Sequence, residues 1–151
     1  MKSRQEYVGE LGEKIAASHY SREGCIVEWA LNPFDRIKDM IVDGKKKEVK
    51  CQTLYCVRDC FSLKLNQMKK CKNGFLLIEC PTTYSPIARM YEVEKGFRFG
   101  QSVRNNGDVR YDIPRKQPAL KLIREIVGEE YNMLKAYAKD YVRAKRLPKS
   151  N

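Results

Sequence analysis

The sequence predicts an α/β domain with a mixed central sheet, an N-terminal helix against one face, and a C-terminal extension made of a hairpin and helices. Three observations support this fold class. Residues 4–22 repeat apolar side chains at helical spacing, residues 39–52 form two alternating runs joined by Asp-Gly, and residues 74–80 form an unbroken apolar run. Such an unbroken run is typical of a strand buried on both faces of a sheet.

Length and charge limit the function classes. A chain of 151 residues predicts one domain, with a core over about residues 4–94 and an extension over about 95–147. Thirty basic residues against 19 acidic ones give a net charge of +11, which favours a polyanionic partner. Because no apolar segment resembles a membrane span or a secretion signal, we expect a cytoplasmic protein with no membrane partner and with reduced cysteines.

The first predicted helix covers residues 4–22 and ends at Gly24. Apolar residues at helical spacing predict one side that packs on the core. Around Glu13 the opposite side has little side-chain bulk, because Gly9 and Gly12 lie there. We therefore expect another backbone or a ligand to approach this side closely.

The middle of the chain predicts strands on both sides of a helix. β-branched and aromatic residues predict strands over 25–31 and 87–93, and the apolar run predicts the central strand over 74–80. Residues 62–72 are predicted as a helix that crosses to this central strand. Together with the hairpin over 39–52, these elements would form the central sheet.

The C-terminal part predicts the extension. Residues 97–113 are predicted as a second hairpin with its turn at residues 105–107. Residues 116–127 and 129–147 are predicted as two helices. Basic residues outnumber acidic ones across these helices, so they are the stronger electrostatic candidate for binding nucleic acid.

The first hairpin places charged residues opposite one another. With Asp43 and Gly44 as the two central turn residues, pairing outward along the strands places Asp39 opposite Glu48. Directly paired residues share a face of the sheet, and Lys50 shares that face because side chains alternate along a strand. The sequence therefore predicts a polar cluster on one side of the hairpin.

Two carboxylates held across adjacent strands require a counterion. Like charges directly opposite each other destabilise a sheet, so the pair without a cation would raise one pKa or splay apart. A divalent cation removes this conflict. Magnesium takes one or two protein carboxylates and completes its coordination with water and phosphate oxygens, which suits a phosphodiester substrate.

The order of these features resembles the PD-(D/E)XK nuclease superfamily, and within it the archaeal-type Holliday junction resolvases. The resemblance covers about residues 9–80. It rests on the Gly-rich first helix GELGEKIAASHYSREG, on Asp39 followed by Met-Ile-Val, on Glu48-Val-Lys50, and on the helix and apolar strand that follow. The resemblance implies a restriction-endonuclease-like core, a Mg²⁺ cofactor that Mn²⁺ can replace, and cleavage of DNA.

The resemblance also implies roles for individual residues. Asp39 and Glu48 would ligate the metal, helped by the Val49 carbonyl, while Lys50 would lie beside the attacking water. Glu13 corresponds to the glutamate of the family's first helix. We expect Lys50 to orient water and stabilise charge on phosphate, because two neighbouring carboxylates oppose the pKa decrease that a general base would need.

Two of these positions have rivals. Asp35 competes with Asp39 for the first acid, because its separation from Glu48 is usual in these resolvases; we favour Asp39 because it lies directly opposite Glu48. Lys38 stands before Asp39 where the family pattern has proline. Glu10 is the rival of the helix glutamate.

The predicted function is metal-dependent cleavage of DNA, selective for branched substrates, by a homodimer whose twofold axis relates two active sites. One alternative is a site-specific duplex endonuclease of homing or restriction type. Another is a non-catalytic, basic nucleic-acid-binding module. The candidate DNA-binding residues are Gln52, Arg98, Arg104, Arg110, Lys135, Lys139 and Arg143.

Overall fold

The computed structural model describes residues 3–31, 38–53, 60–71, 74–82, 85–96 and 99–137. In these ranges no helix combines the length and the apolar character needed to cross a membrane. The elements in chain order are α1 (Arg4–Arg22), β1 (Val27–Leu31), β2 (Lys38–Val42), β3 (Lys45–Thr53), β4 (Cys60–Lys64), α2 (Leu65–Lys70), β5 (Phe75–Cys80), β6 (Arg89–Val93), β7 (Gly100–Val103), β8 (Val109–Pro114), β9 (Leu120–Glu125) and α3 (Gly128–Lys135).

The described strands form two sheets. The larger has six strands in the order β1-β2-β3-β5-β6-β9, and the smaller has three in the order β4-β8-β7. β3 and β5 are parallel, whereas every other neighbouring pair is antiparallel. The predicted α/β class with a mixed central sheet is therefore confirmed, as are the central strand β5, the strands β1 and β6, and the β7–β8 hairpin.

Two hydrophobic cores cover the two faces of the larger sheet. On one face, α1 and α3 pack against the sheet, with Ile15 and Ile78 fully buried between them. On the other face, the smaller sheet packs, and Phe61, Leu77 and Ile113 are fully buried. All six residues of β5 are buried, which explains the apolar sequence of this strand, and Glu79 is its one charged residue.

The helix α1 begins and ends as its sequence predicts. Ser3 and Glu6 form a capping box at its N-terminus, and Gly24 follows its C-terminus with a φ of +87°. The close approach expected at its small residues is also present. A Cβ added at Gly12 would lie 2.5 Å from the Cys51 Cβ, so α1 crosses directly over β3 at this point.

The β2–β3 hairpin has the predicted turn. Asp43 and Gly44 have φ values of +48° and +80°, as expected for a two-residue turn with both central residues at positive φ. The ladder runs from Val42 opposite Lys45 to Met40 opposite Lys47. Asp39 and Glu48 are the next residues outward from that last pair.

The helix predicted over residues 116–127 is wrong. Leu120–Glu125 is the strand β9, which pairs antiparallel with β6 and forms one edge of the larger sheet. A short apolar run fits either a strand or a helix, and here the backbone of β6 provides the partner that decides between them. The described residues after 95 thus contribute strands to both sheets. β9 belongs to the larger sheet, and β8 pairs with β4 in the smaller one.

Two other helix predictions are shortened. Residues 62–64 of the predicted helix over 62–72 belong to β4, in which Phe61 and Leu63 alternate into the core between the sheets. The helix itself is only Leu65–Lys70. Of the helix predicted over 129–147, the structure gives α3 as Gly128–Lys135, and the part from residue 138 onward lies outside the described residues.

Candidate active site

The carboxylates of Asp39 and Glu48 converge on one cation, and this cation is a lysine of the same hairpin. The Nζ of Lys46 lies 3.7 Å from Asp39 Oδ1 and 3.3 Å from Glu48 Oε1. Lys46 shares a face with Glu48 because the two residues are two apart on β3. The counterion that the two carboxylates require is therefore the side chain of Lys46. This role was not predicted from the sequence, although the alternation of side chains along β3 places Lys46 on the face of Glu48.

The three side chains of this ion-pair cluster differ in their exposure to solvent. The side chains of Glu48 and Asp39 are 17% and 29% exposed, whereas that of Lys46 is 48% exposed. Partial burial lowers the pKa of Lys46, but the charges and hydrogen bonds of Glu48 and then Asp39 raise it by more, so the net pKa shift is upward. The ammonium thus stays charged, and it lies on the solvent side of the acids.

Glu13 lies within electrostatic reach of the same cluster. The pKa of Glu13 is raised to about 7, first by burial and next by the Glu48 carboxylate, while the charge of Lys50 opposes the shift. Smaller upward contributions come from Glu10 and Asp39. Glu13 therefore changes protonation near neutral pH, and its pKa responds to the charges of Glu48, Lys50 and Asp39.

Lys50 and Glu48 point toward the side of the sheet that packs on the smaller sheet. Lys50 lies beside Leu77 of β5 in the parallel ladder, and neighbours across a ladder share a face. Burial raises the pKa of the Cys71 thiol to about 11, with Lys50 lowering it and Glu48 raising it. Both side chains are thus near the C-terminal end of α2, on the opposite face of β3 from the α1 contact.

The donor set fits a magnesium ion held by two carboxylates. In the part of the chain that the structure describes, no group of three His, Cys, Asp or Glu side chains could hold a metal ion. Mg²⁺ does not require such a cage, since it commonly binds one or two carboxylates together with water and phosphate oxygens. The approach of two hard carboxylate ligands to one cation is compatible with that mode.

Three further candidates are the rival acids Asp35 and Glu10 and the backbone carbonyl of Val49. Asp35 lies outside the described residues, so its competition with Asp39 is untested. Glu10 is on α1 and partly buried, and it acts on Glu13 by charge. Val49 lies between the two motif residues on β3, and its carbonyl as a metal ligand stays a prediction.

Gln52 joins the two sheets. Its Nε2 donates to the Ser62 carbonyl at 2.7 Å, and its Oε1 accepts from the Ser62 backbone N–H at 3.1 Å. Both ends of the amide are therefore occupied by the backbone of β4. This arrangement gives Gln52 a structural role and leaves its predicted contact with DNA without support.

The predicted DNA-binding arginines that are described lie in ion pairs on the smaller sheet. Arg104 donates to Ser62 Oγ at 3.2 Å and to Asp112 Oδ1 at 3.3 Å. Arg110 donates to Asp108 Oδ2 at 3.0 Å. Lys135 is exposed at the end of α3, whereas three further candidates lie outside the described residues, namely Arg98, Lys139 and Arg143.

A second carboxylate cluster was missed from the sequence. Glu79 of β5 is 1% exposed; it accepts from the Tyr91 hydroxyl at 2.9 Å and from Nη2 of Arg115. Arg115 also donates to Ser85 Oγ at 3.3 Å. Burial raises the pKa of Glu79, although the charge of Arg115 lowers it. A glutamate within the apolar run FLLIEC was the available signal, because a buried carboxylate needs a partner.

Comparison with protein-family models, with curated proteins and with solved structures gives no match to this chain. The resemblance to PD-(D/E)XK nucleases thus stays a prediction that rests on the motifs and on the geometry of the hairpin.

Proposed function

We propose that the chain is a Mg²⁺-dependent DNA endonuclease of PD-(D/E)XK type with a restriction-endonuclease-like core. The observation that carries this proposal is the approach of the Asp39 and Glu48 carboxylates to a single cation position from adjacent strands. Lys50 follows Glu48 on the same face of β3. Glu13, with a pKa of about 7, adds a group that exchanges a proton near neutral pH.

Each residue then has a distinct task. Asp39 and Glu48 would hold the ion, which would supply Lewis-acid chemistry and lower the pKa of the attacking water. Lys50 donates to the attacking water or to the phosphate and stabilises the charge that develops there. Glu13 takes up or releases a proton, because a group with a pKa near the working pH does so most effectively.

The substrate follows from charge and symmetry. A net charge of +11 favours the phosphate backbone of DNA. A homodimer would present two sites to the paired strands of a branched substrate, so a four-way junction is the proposed target. The proposed location is the cytoplasm.

A non-catalytic, basic nucleic-acid-binding module is the second candidate, and one observation favours it. Lys46 already forms ion pairs with both acids without any metal. If that pairing is permanent, the hairpin is a stable structural element and the basic surface acts alone.

The test is cleavage in Mg²⁺ of a four-way junction, a linear duplex and a single strand. The variants are Glu48→Gln and Lys50→Met, and the control is Glu28→Gln, which removes an exposed carboxylate from β1. We expect junction cleavage to fall about 100-fold or more in both variants and to stay within about twofold of wild type in the control. Thermal midpoints of all proteins check that the variants fold.

The other outcomes separate the candidates. Cutting confined to a rare duplex sequence would support a homing- or restriction-type enzyme instead. DNA binding that EDTA does not change, with no substrate cleaved, would support the non-catalytic module and contradict the endonuclease.

A further inference from the structure

We propose that Lys46 is a built-in competitor of the metal ion: its ammonium occupies the cation position between Asp39 and Glu48 and must leave before a divalent ion binds. This inference rests on the metal site of the proposed function. It adds that metal affinity is set by a lysine which is not itself a ligand.

The geometry of the hairpin supports a competition for one position. The Lys46 Nζ lies within 3.7 Å of an oxygen of each acid, so a cation placed between these oxygens would meet the ammonium. Two positive charges this close repel each other strongly at the edge of a protein. Metal and lysine are therefore mutually exclusive partners of the carboxylate pair.

The exposure of the side chains indicates which partner moves. Lys46 is 48% exposed and ends a flexible four-carbon stem, whereas Glu48 is only 17% exposed. Ion pairs with a solvent-exposed partner are weak, so the ammonium can move into solvent at low cost. The acids stay in place on their strands, ready for the replacement cation.

The competition has a reciprocal consequence. The metal must overcome the stabilisation that the Lys46 ion pairs give to the metal-free hairpin. By linkage, metal binding weakens those ion pairs by the same free energy. Removing the ammonium should therefore tighten metal binding. Coupling between two ligands of one protein is typically on the order of 5- to 150-fold, and the partial exposure of Lys46 places the expected effect at roughly 5- to 30-fold.

The experiment measures Mn²⁺ binding without DNA, from the electron paramagnetic resonance signal of free Mn²⁺. Lys46→Met is compared with wild type and with Lys45→Met. Lys45 carries the same charge on the same strand, but it lies on the other face of the hairpin, opposite Val42. We expect roughly 5- to 30-fold tighter binding for Lys46→Met and less than about threefold for Lys45→Met. Lys46→Arg, which keeps a cation, should stay near wild type.

A second measurement follows the lysine itself. Acetic anhydride labels free amines, and mass spectrometry locates the labels. Mn²⁺ should increase the acetylation of Lys46 severalfold in wild type and leave that of Lys45 unchanged. In Glu48→Gln, Mn²⁺ should have no effect on either lysine.

The outcomes distinguish this inference from the proposed function. Equal tightening in Lys46→Met and Lys45→Met would overturn the inference, because removal of any nearby charge would then suffice. Mn²⁺ binding that Glu48→Gln abolishes but Lys46→Met leaves unchanged would also overturn it and would leave the metal site intact. Displacement of Lys46 by Mn²⁺ with no DNA cleaved would support the inference and contradict the endonuclease. If Mn²⁺ binds to none of these proteins, both fail.

Discussion

Two carboxylate sites, at Glu79 and at Glu48, lie on the same face of the larger sheet. In each a basic side chain is the counterion, but the two counterions differ in exposure. At Glu79 the counterion is Arg115, and the carboxylate is 1% exposed and also accepts from Tyr91. At Glu48 the counterion is Lys46, which is 48% exposed. The first cluster is a fixed buried network, whereas the second holds its cation at the surface.

The difference in burial determines which of the two carboxylates can exchange its cation. Removing one partner of a buried pair leaves an uncompensated charge in a low-dielectric site, so Arg115 cannot leave Glu79 without a large cost. Removing a lysine from a surface pair changes little, because water replaces it. Of these two clusters, the hairpin cluster is therefore the one whose carboxylates could take a metal ion, as the proposed function requires, whereas the buried cluster contributes to stability.

The largest expected effect comes from breaking the buried cluster. Arg115→Met removes the guanidinium from Glu79 and should lower the free energy of unfolding by about 2 to 4 kcal/mol at pH 7, somewhat below a fully buried pair because Arg115 is 17% exposed. Urea unfolding measures it. The loss should shrink at low pH, where protonation removes the unpaired charge of Glu79.

The matched control is Lys46→Met in the hairpin cluster. It should lower the free energy of unfolding by less than about 1 kcal/mol. Similar losses in the two variants would contradict the division into a fixed and an exchangeable cluster.

The next effect tests how closely α1 must lie to β3, the strand that carries Glu48. Gly12→Ala would place a Cβ 2.5 Å from the Cys51 Cβ, so the helix or the strand must shift, and we expect a loss of about 1 to 3 kcal/mol in urea unfolding. Gly9→Ala is the control, because a Cβ at Gly9 meets nothing within 4 Å. That variant should gain up to about 1 kcal/mol from helix propensity. Equal effects would show that the crossing is loose.

Much of the fold could be predicted because local signals and tertiary contacts agree. The capped helix α1, the Asp43-Gly44 turn and the apolar strand β5 each carry a signal that their packing reinforces. The strand β9 could not be predicted, since its residues fit a helix equally well and only the edge of β6 decides. Long-range pairing of this kind leaves no mark in a short window of sequence.

The candidate site was predictable to the same limited extent. The turn fixes the register of β2 and β3, and the register alone brings Asp39 near Glu48. The occupation of that position by Lys46 depends on a side-chain conformation, which register does not specify. The partner of Glu79 is more remote still, because Arg115 follows Pro114 at the end of β8 and reaches β5 only through the packing of the two sheets.

The smallest expected effect follows from the raised pKa of Glu13, which burial causes first and the charge of Glu48 next. Folded Glu13 keeps its proton to about pH 7, whereas the unfolded chain releases it near 4.5. The folded state binds more protons in between, so the stability from this group is full below about pH 4.5 and is lost as the pH rises to about 7. Glu13→Gln should therefore match wild type at low pH and be about 1 to 2 kcal/mol more stable at pH 8, after a discount for partial exposure. Urea unfolding across this range checks it against Glu28→Gln, whose difference from wild type should stay flat. A flat difference for Glu13→Gln as well would mean that neither burial nor the charges of Glu48 and Asp39 raise the pKa of Glu13 in the folded protein.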